Sequence, residues 1–340
     1  MSTDAPPPPE AILAQIIFGK TASMAVSAIA KLRIADKLAS GAKSVADLAT
    51  ETNTHAPTLY RLLRAVASIG VLSEQPEGKF ALTPVGELLR TGVRGSLRGM
   101  ADYFGDQWSW LPWGNFLGAV QTGKTAFDST FGEPVFDYLA KHPAESAVFN
   151  EGMTGFTSVI APAVVEAYDF SQFGTIVDVG GGHGILVNTI LAANPKLKGI
   201  VFDSPNVTVG ASEPIRAAGL ADRCQAIGGD FFQSVPAGGD AYLMKHIIHD
   251  WPDDAATKIL ANCRKAVNPG GKLLLVELVI RPGNEPDFGK LMDLEMLVIA
   301  SGKERTEAEY RALLAAAGWK LTRIIPTKSP AQVIEGQPIT

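Results

Sequence analysis

The 340-residue chain contains very little cysteine, which limits the kinds of protein it can be. Its two cysteines, Cys224 and Cys263, have no metal-ligand spacing and do not indicate a disulfide framework. We therefore expect a reducing, cytoplasmic environment. The first ten residues contain a run of four prolines and no lysine or arginine, so they predict a short disordered tail and not a targeting peptide.

Long apolar runs and a large excess of one charge are also missing. No apolar run approaches the length needed to span a bilayer, so no membrane partner is expected. The net charge of −5 does not indicate a nucleic-acid surface. With 46% hydrophobic residues, however, the chain can bury sizeable cores, and its length favours two domains.

The residue pattern divides the chain into four parts. Residues 1–10 are the tail, and residues 11–100 begin with one predicted helix over 11–40 and end in a hairpin around the turn SEQPEGK. That order predicts a mostly α-helical winged-helix domain. Residues 101–165 predict an aromatic-rich helical connector that contributes to a substrate pocket. Residues 166–340 alternate strands and helices, which predicts an α/β, Rossmann-like domain with a mainly parallel, doubly wound sheet.

A winged helix can bind DNA, and this alternative has to be weighed. The predicted second helix offers Arg61 and Arg64 but few other basic groups nearby. Phosphate contacts dominate DNA affinity and require many more such groups. The favoured interpretation is a packing and dimerisation module that binds no nucleic acid.

The segment from Ile176 to Gly184, IVDVGGGHG, is the most informative motif. An apolar strand reaches Asp178, and Gly180 and Gly182 follow before an apolar helical pattern. Glycine permits positive φ and close approach of a ligand, and the helix start offers unpaired N–H groups. A second apolar strand ends at Asp203, and an acid at this place can hold both ribose hydroxyls. The pattern predicts an adenosine-containing cofactor.

The spacing of these glycines distinguishes two such cofactors. A dinucleotide requires G-x-G-x-x-G, whose third glycine packs the helix against the strand, and Ile185 occupies that position here. The glycines at 180, 182 and 184 instead have the G-x-G-x-G spacing of methyltransferases that use S-adenosylmethionine. S-adenosylmethionine is therefore favoured over NAD, and a glycine turn without a ligand is disfavoured by the flanking aspartates.

Polar side chains follow three later strands at the same predicted edge of the sheet. Asp230 is expected to accept from an adenine amino group, with Phe231 stacked on the ring; alternatively, Asp230 only caps the next turn. The run KHIIHDW contains two histidines, and imidazole is the usual general base near neutral pH. A base requires a neighbour that fixes its tautomer, and Glu277 and Glu304 are the candidates.

Six motifs together resemble a known family. The segments DVGGGHG, FDSPNV, GGDFF, LMKHIIHDWPD, NPGGKLLLVE and GKERTEAEYRALLAAAGW have the order and spacing of the S-adenosylmethionine-dependent O-methyltransferases of the plant caffeic-acid type and their bacterial small-molecule relatives. The resemblance covers residues 11 to 335. It implies a class I methyltransferase domain, an N-terminal winged-helix dimerisation domain, a homodimer, and a small, hydroxylated aromatic acceptor in secondary metabolism.

The resemblance also implies roles for single residues. It makes His249, and not His246, the general base, with Glu277 and Glu304 holding its ring. Cofactor contacts fall on the glycine loop and the strand ends, namely on Asp178, Gly180, Gly182, Asp203, Asp230, Phe231 and Lys245. The looser assignments to the substrate pocket are Met153, Met292, Met296 and Asp250, the last of which orients its loop or contacts the cofactor. His183 departs from the family pattern, and we expect it to tune the cofactor loop.

Three alternatives remain open at this point. An NAD-dependent oxidoreductase would need the longer glycine spacing, and a ligand-sensing winged-helix regulator would need a basic surface over residues 44–90. A divergent family member would carry out hydroxylation or decarboxylation, which the retained His249, Glu277 and Glu304 argue against. No metal is expected, because no acidic or histidine cluster has metal-ligand spacing.

Overall fold

The computed structural model describes residues 7–340, which divide into two compact units. The first unit comprises the chain up to Trp110 together with Ala147–Phe156, and the second comprises Leu111–Ser146 and Thr157–Thr340. One long helix, Pro143–Ala167, runs through both. The connector predicted over residues 101–165 is helical, but its residues are divided between the two units.

The first unit is helical and carries a small three-stranded sheet. Its helices are α1 (Pro9–Lys31), α2 (Ile34–Lys37), α3 (Val45–Thr52), α4 (Ala56–Ser68), α5 (Pro84–Glu87), α6 (Arg98–Phe104) and α7 (Gln107–Trp110). Strands β1 (Lys43–Ser44), β2 (Leu72–Gln75) and β3 (Lys79–Leu82) pair antiparallel in the order β1-β3-β2. The Ser44 hydroxyl accepts from the Asp47 N–H and caps α3. The predicted order of helices and hairpin is confirmed.

Apolar residues at helical spacing form the core of this unit. Leu59, Leu63 and Val66 lie on the buried face of α4, where they pack with Leu48 of α3 and Phe80 of β3. Pro57 lies in the first turn of α4, where backbone N–H groups have no acceptor within the helix. The absence of an N–H on proline therefore costs no hydrogen bond there.

Three expectations about the N-terminal region were wrong. The predicted tail does not reach residue 10, because α1 begins at Pro9; residues 1–6 lie outside the described residues. The helix predicted over residues 11–40 is broken at Arg33, whose φ is +53°. Finally, α1 is long and apolar enough, by length and composition alone, to cross a membrane. Gln15, Lys20 and Thr21 interrupt its apolar run, but the average hydropathy of the helix stays high enough for a membrane span.

The second unit is built on a seven-stranded sheet. Its helices are α8 (Phe116–Thr122), α9 (Ala126–Phe131), α10 (Val135–Lys141), the end of α11 (Pro143–Ala167), α12 (Ile185–Ala193), α13 (Pro205–Thr208), α14 (Ser212–Ala217), α15 (Asp253–Ala266), α16 (Phe288–Ile299) and α17 (Glu307–Ala316). Its strands are β4 (Thr175–Val179), β5 (Lys198–Asp203), β6 (Cys224–Gly228), β7 (Ala241–Lys245), β8 (Lys272–Glu277), β9 (Val279–Ile280), β10 (Arg305–Thr306), β11 (Trp319–Pro326) and β12 (Gln332–Pro338).

The strand order of the large sheet is β11-β12-β8-β7-β4-β5-β6. The five strands from β8 to β6 are parallel, and only β12 runs antiparallel to its neighbours β8 and β11. The central strands are buried on both faces, as their continuous apolar runs require. The predicted fold class, a mainly parallel Rossmann-like sheet, is confirmed. Because parallel strands end at the same edge, the polar residues that follow them meet there.

Candidate active site

The glycine loop between β4 and α12 has a backbone that few other residues could adopt. Gly180 and Gly182 have φ values of +70° and +57°, in the left-handed region. A Cβ on Gly180 would lie 2.4 Å from Ile247 Cδ1, whereas a Cβ on Gly182 would meet nothing within 4 Å. The loop is therefore closed by Ile247 on one side and open in front of Gly182, at the start of a nine-residue helix.

Asp203 lies at the end of β5 and is hydrogen-bonded to this loop. Its Oδ2 accepts from the Gly182 N–H at 2.8 Å, and its Oδ1 accepts from the Ser204 N–H at 2.7 Å. Burial raises the pKa of Asp203, although both backbone donors oppose the shift. The carboxylate is thus held in one orientation beside the open side of the loop.

Asp178 is buried near the end of β4, and the opposite charge of Lys245 at the end of β7 acts on it. Burial raises the pKa of Asp178 to about 7 even though Lys245 opposes the shift. Burial likewise lowers the pKa of Lys245, while Glu277, Asp178 and Asp250 oppose that shift. Within residues 7–340, the buried Asp178 Oδ2 has no hydrogen-bond partner. An oxygen of this kind can accept from a ligand.

Asp230 and Phe231 follow β6. Asp230 is exposed, and its Oδ1 accepts from the Phe232 N–H at 2.8 Å, so the carboxylate does cap the turn. Phe231 packs edge-on against Trp251 with ring centroids 6.0 Å apart. Their contacts with adenine stay predictions.

His249 is the centre of the second cluster. It lies in the 3₁₀ turn Ile248–Asp250, which follows β7, and its side chain is buried. Its Nδ1 is 2.7 Å from Glu304 Oε1, and its Nε2 is 3.5 Å from Asp250 Oδ1. Because an ionised carboxylate only accepts hydrogen bonds, Nδ1 carries a proton towards Glu304 and Nε2 is the available base.

Two glutamates surround the Nδ1 side of this ring. Glu277 ends β8, and its Oε1 accepts from the Ile247 and Ile248 N–H groups at 3.2 and 3.0 Å. Its Oε2 is 3.9 Å from His249 Nδ1, beyond hydrogen-bond distance. Glu304 makes the direct contact, while Glu277 holds the backbone of the turn. The structure therefore brings His249, Glu277 and Glu304 together as predicted, but only Glu304 is within hydrogen-bond distance of the ring.

The charges around His249 favour its protonated form. Burial alone lowers the pKa of His249, but Glu304, Asp250 and Glu277 together outweigh burial and raise it. Burial raises the pKa of Glu277, with His249 opposing. Burial also raises the pKa of Asp250 to about 6, and His249 again opposes the shift. His249 is thus a stronger base than a solvent-exposed histidine.

The cluster of His249, Glu277 and Glu304 corrects one expectation from the sequence. One ligand atom from each residue lies within 4.8 Å of the others, so the three could hold a metal ion. The expectation that no such cluster exists was wrong, because its members come from three separate segments and have no local spacing. Each member also has a role without an ion, since Glu304 binds the ring and Glu277 accepts from the backbone.

The residues assigned to the substrate pocket lie in both units. Met153 lies on the part of α11 that belongs to the first unit, and Met292 and Met296 lie on α16 in the second. Asp250 borders His249, as described above. In the second unit, the Trp113 Nε1–H donates to the buried Glu295 Oε2 at 3.0 Å. This contact ties the segment before α8 to α16, the helix that carries both methionines.

Sequence reasoning missed three residues that shape this site. The Asp293 Oδ1 accepts from the Glu304 N–H at 2.8 Å. A Cβ on Gly302 would lie 1.9 Å from the His249 carbonyl oxygen, so only glycine lets this segment pack on the turn. Arg305 is completely buried beneath the turn. The charged run KERT, which directly follows Gly302, could have revealed Arg305 as well as Glu304.

The fold that surrounds the glycine loop is that of the class I methyltransferases, which use S-adenosylmethionine. The chain belongs to the O-methyltransferase family: the O-methyltransferase domain model matches residues 113–320, and the O-methyltransferase dimerisation domain model matches residues 14–92. It is therefore an S-adenosylmethionine-dependent methyltransferase, and the predicted family, cofactor and enzyme class are confirmed.

Several relatives cover nearly the whole chain. It is 46% identical over 332 residues to the phenazine O-methyltransferase PhzM of Lysobacter antibioticus, across 98% of this chain and 97% of that protein. It is similar to the crystal structure of LaPhzM, with a TM-score of 0.95 and 46% identity over 98% and 100% of the two chains. It is also similar to the O-methyltransferase NcsB1 from neocarzinostatin biosynthesis, solved with S-adenosylmethionine and 2-hydroxy-5-methyl naphthoic acid (TM-score 0.78, 32% identity, 93% and 95% coverage).

Proposed function

We propose that this enzyme methylates a hydroxyl oxygen of a small, planar aromatic molecule, and that His249 removes the hydroxyl proton. The observation that carries the proposal is the 2.7 Å contact between His249 Nδ1 and Glu304 Oε1. This contact fixes the tautomer, so that Nε2 can accept a proton. It lies at the carboxyl edge of the sheet, where the glycine loop also lies.

The residues at that edge fit S-adenosylmethionine. The open side of Gly182 leaves room for a ligand, and the fixed Asp203 carboxylate can accept from ribose hydroxyls. The buried Asp178 Oδ2 can accept from an N–H of the ligand. We propose that Lys245, Asp230 and Phe231 also contact the cofactor, as the sequence predicts. When bound, this cofactor supplies a methyl group that its sulfonium already activates.

The protein's own residues supply position and proton removal. Holding two reactants in a reactive geometry can contribute about 7–11 kcal/mol, and a general base adds about 10²–10⁴-fold in rate. His249 Nε2 takes the hydroxyl proton, and Glu304 stabilises the resulting imidazolium through Nδ1–H. Asp250 Oδ1, 3.5 Å from Nε2, adds to this stabilisation and orients the turn.

An aromatic acceptor is supported by the surroundings of His249 in the second unit. Phe136 of α10 stacks on Trp251, two residues after the base, with centroids 5.3 Å apart and planes 26° apart. Met292 and Met296 supply the adaptable apolar side chains that such a ligand would contact. The proposed role of Met153 in the substrate pocket rests on the family resemblance alone. The names of the relatives concern phenazine and naphthoic acid ring systems, which are also planar.

We further propose a homodimer that forms through the first unit. Five large apolar side chains in the first half of α1 are exposed, namely Ile12, Leu13, Ile16, Ile17 and Phe18. The dimerisation-domain match begins within this helix. This favours a second copy of the chain, and not lipid, as the partner that buries these apolar side chains. Cytoplasmic localisation remains a proposal supported by the two buried free cysteines.

The acceptor can be identified with labelled cofactor. The purified enzyme would be incubated with methyl-labelled S-adenosylmethionine and a panel of phenols, hydroxynaphthoates, hydroxylated phenazines, aromatic amines and isoprenoid alcohols, and the products analysed by mass spectrometry. We expect label on an oxygen of a fused-ring phenolic compound. Label on nitrogen would contradict the proposed acceptor atom. A hydroxylated or decarboxylated product without label would identify a divergent family member.

A further inference from the structure

Arg305 is a buried cation that the reaction described so far does not use. Its side chain is 0% exposed, although it lies directly after Glu304 in the charged run KERT, a composition typical of exposed segments. Burying a guanidinium is costly unless all of its N–H groups find acceptors. The acceptors of Arg305 therefore indicate what the residue holds in place.

All of these acceptors belong to the turn around His249 and to its immediate surroundings. Nη1 donates to the Ile248 carbonyl at 2.9 Å and more weakly to the Lys303 carbonyl at 3.3 Å. Nη2 donates to the Trp251 carbonyl at 2.9 Å and to Asp253 Oδ1 at 2.8 Å, and Nε donates to the same Asp253 oxygen at 3.0 Å. The five contacts match the five N–H donors of a guanidinium.

The Ile248 and Trp251 carbonyls lie on either side of His249 in the chain. One planar, rigid group thus bridges the start and the end of the turn that carries the base, and anchors both to Asp253 at the start of α15. The neighbouring Glu304 contacts the ring of His249 at the same time. Consecutive residues therefore fix the imidazole and its backbone separately.

We propose that Arg305 is a positioning residue for methyl transfer, which holds the His249 turn so that Nε2 points at the acceptor hydroxyl. This inference rests on the proposed role of His249 as the base. Lysine cannot replace the arginine, because a single ammonium cannot reach the two carbonyls and the carboxylate in one plane. A displacement of about 1 Å of a catalytic group can cost about 10²-fold in rate.

The first test is the conservative substitution Arg305→Lys. We expect kcat to fall by about 10²-fold, while the KM and the calorimetric Kd for S-adenosylmethionine stay within about twofold of those of the parent enzyme. A purely structural role would lower the melting temperature without this selective loss of kcat. Unchanged kcat in the folded variant would overturn the proposal.

The second test asks whether Arg305 acts through His249. In a His249→Asn background, adding Arg305→Lys should cause no further loss, because the group being positioned is already gone. An equal fold-loss in both backgrounds would overturn the positioning role and leave the base assignment intact. Full activity of His249→Asn alone would instead remove the base assignment and, with it, this inference.

A milder pair of variants decides the question if Arg305→Lys does not fold. Asp253 and Asp254 are both exposed carboxylates in the first turn of α15, but only Asp253 accepts from Arg305. We expect Asp253→Ala to lower kcat several-fold and Asp254→Ala to leave it unchanged. Equal kcat in these two variants would contradict the proposal.

Discussion

Replacing Glu304 by glutamine should move the pH dependence of catalysis in a direction that the structure determines. His249 must be neutral to accept a proton, so the rate rises with pH as His249 loses its own proton. Three carboxylates raise the pKa of His249 above its ordinary value of 6.5, and Glu304 is the first of them. The acidic limb of kcat/KM should therefore lie above pH 6.5 in the parent enzyme and at lower pH in Glu304→Gln.

The size of this shift follows from the 2.7 Å contact that the substitution weakens. A hydrogen bond to a charged group contributes about 1.5–3 kcal/mol, and about 1.4 kcal/mol corresponds to one pKa unit. Glu277 and Asp250 remain at 3.9 and 3.5 Å, so only part of the effect is lost. We expect the limb to move down by about one to two pH units, with a plateau rate about 10–10²-fold lower.

The assay is methyl transfer to the best acceptor of the panel, measured from pH 5 to 10 with labelled cofactor. The matched control is Glu307→Gln, because Glu307 is an exposed acid on the same segment that pairs with Arg311. Its profile should match that of the parent enzyme. If the limb of Glu304→Gln stays in place or moves to higher pH in a folded protein, Glu304 does not act on His249 as described.

Three further outcomes are expected. Gly180→Ala should weaken binding of S-adenosylmethionine by about tenfold or more in calorimetry, whereas Gly219→Ala, with a similar φ of +69° but open space around it, should leave the affinity unchanged. Dialysis against a chelator should leave kcat within about twofold, whereas a loss that a divalent cation restores would make the His249 cluster a metal centre. Ile16→Glu should give a monomer by light scattering, and the equally exposed Leu117→Glu in the second unit should not.

The sequence predicted the elements of this protein best where the physical signal was local. The apolar run before Asp178, the glycines with positive φ and the helix that follows them were all evident from residue types alone. The break at Arg33 was not, because a left-handed residue between two apolar helical stretches leaves their periodicity almost unchanged. The membrane-like composition of α1 was missed because polar and charged residues such as Lys20 interrupt its apolar run.

Predictions about the candidate site were limited by contacts between distant segments. The sequence singled out His249 and Glu304, but it could not show that Glu304 touches the ring while Glu277 lies 3.9 Å away. It also could not show that Arg305 lies under the turn, since the Ile248 and Trp251 carbonyls become its acceptors only in the folded chain. Burial and hydrogen-bond partners of this kind come from tertiary structure, which a linear pattern does not encode.

The central claim is that His249, held by Glu304, takes the acceptor proton, and its neighbour His246 offers a matched control. The two rings pack edge-to-face with centroids 5.0 Å apart, and the φ of +53° at His246 is one that asparagine tolerates. Single-turnover methyl transfer and cofactor affinity should be measured for His249→Asn and His246→Asn. We predict a loss of about 10²–10⁴-fold in rate with unchanged affinity for His249→Asn, and a near-parent rate for His246→Asn. A near-parent rate for His249→Asn would contradict the account.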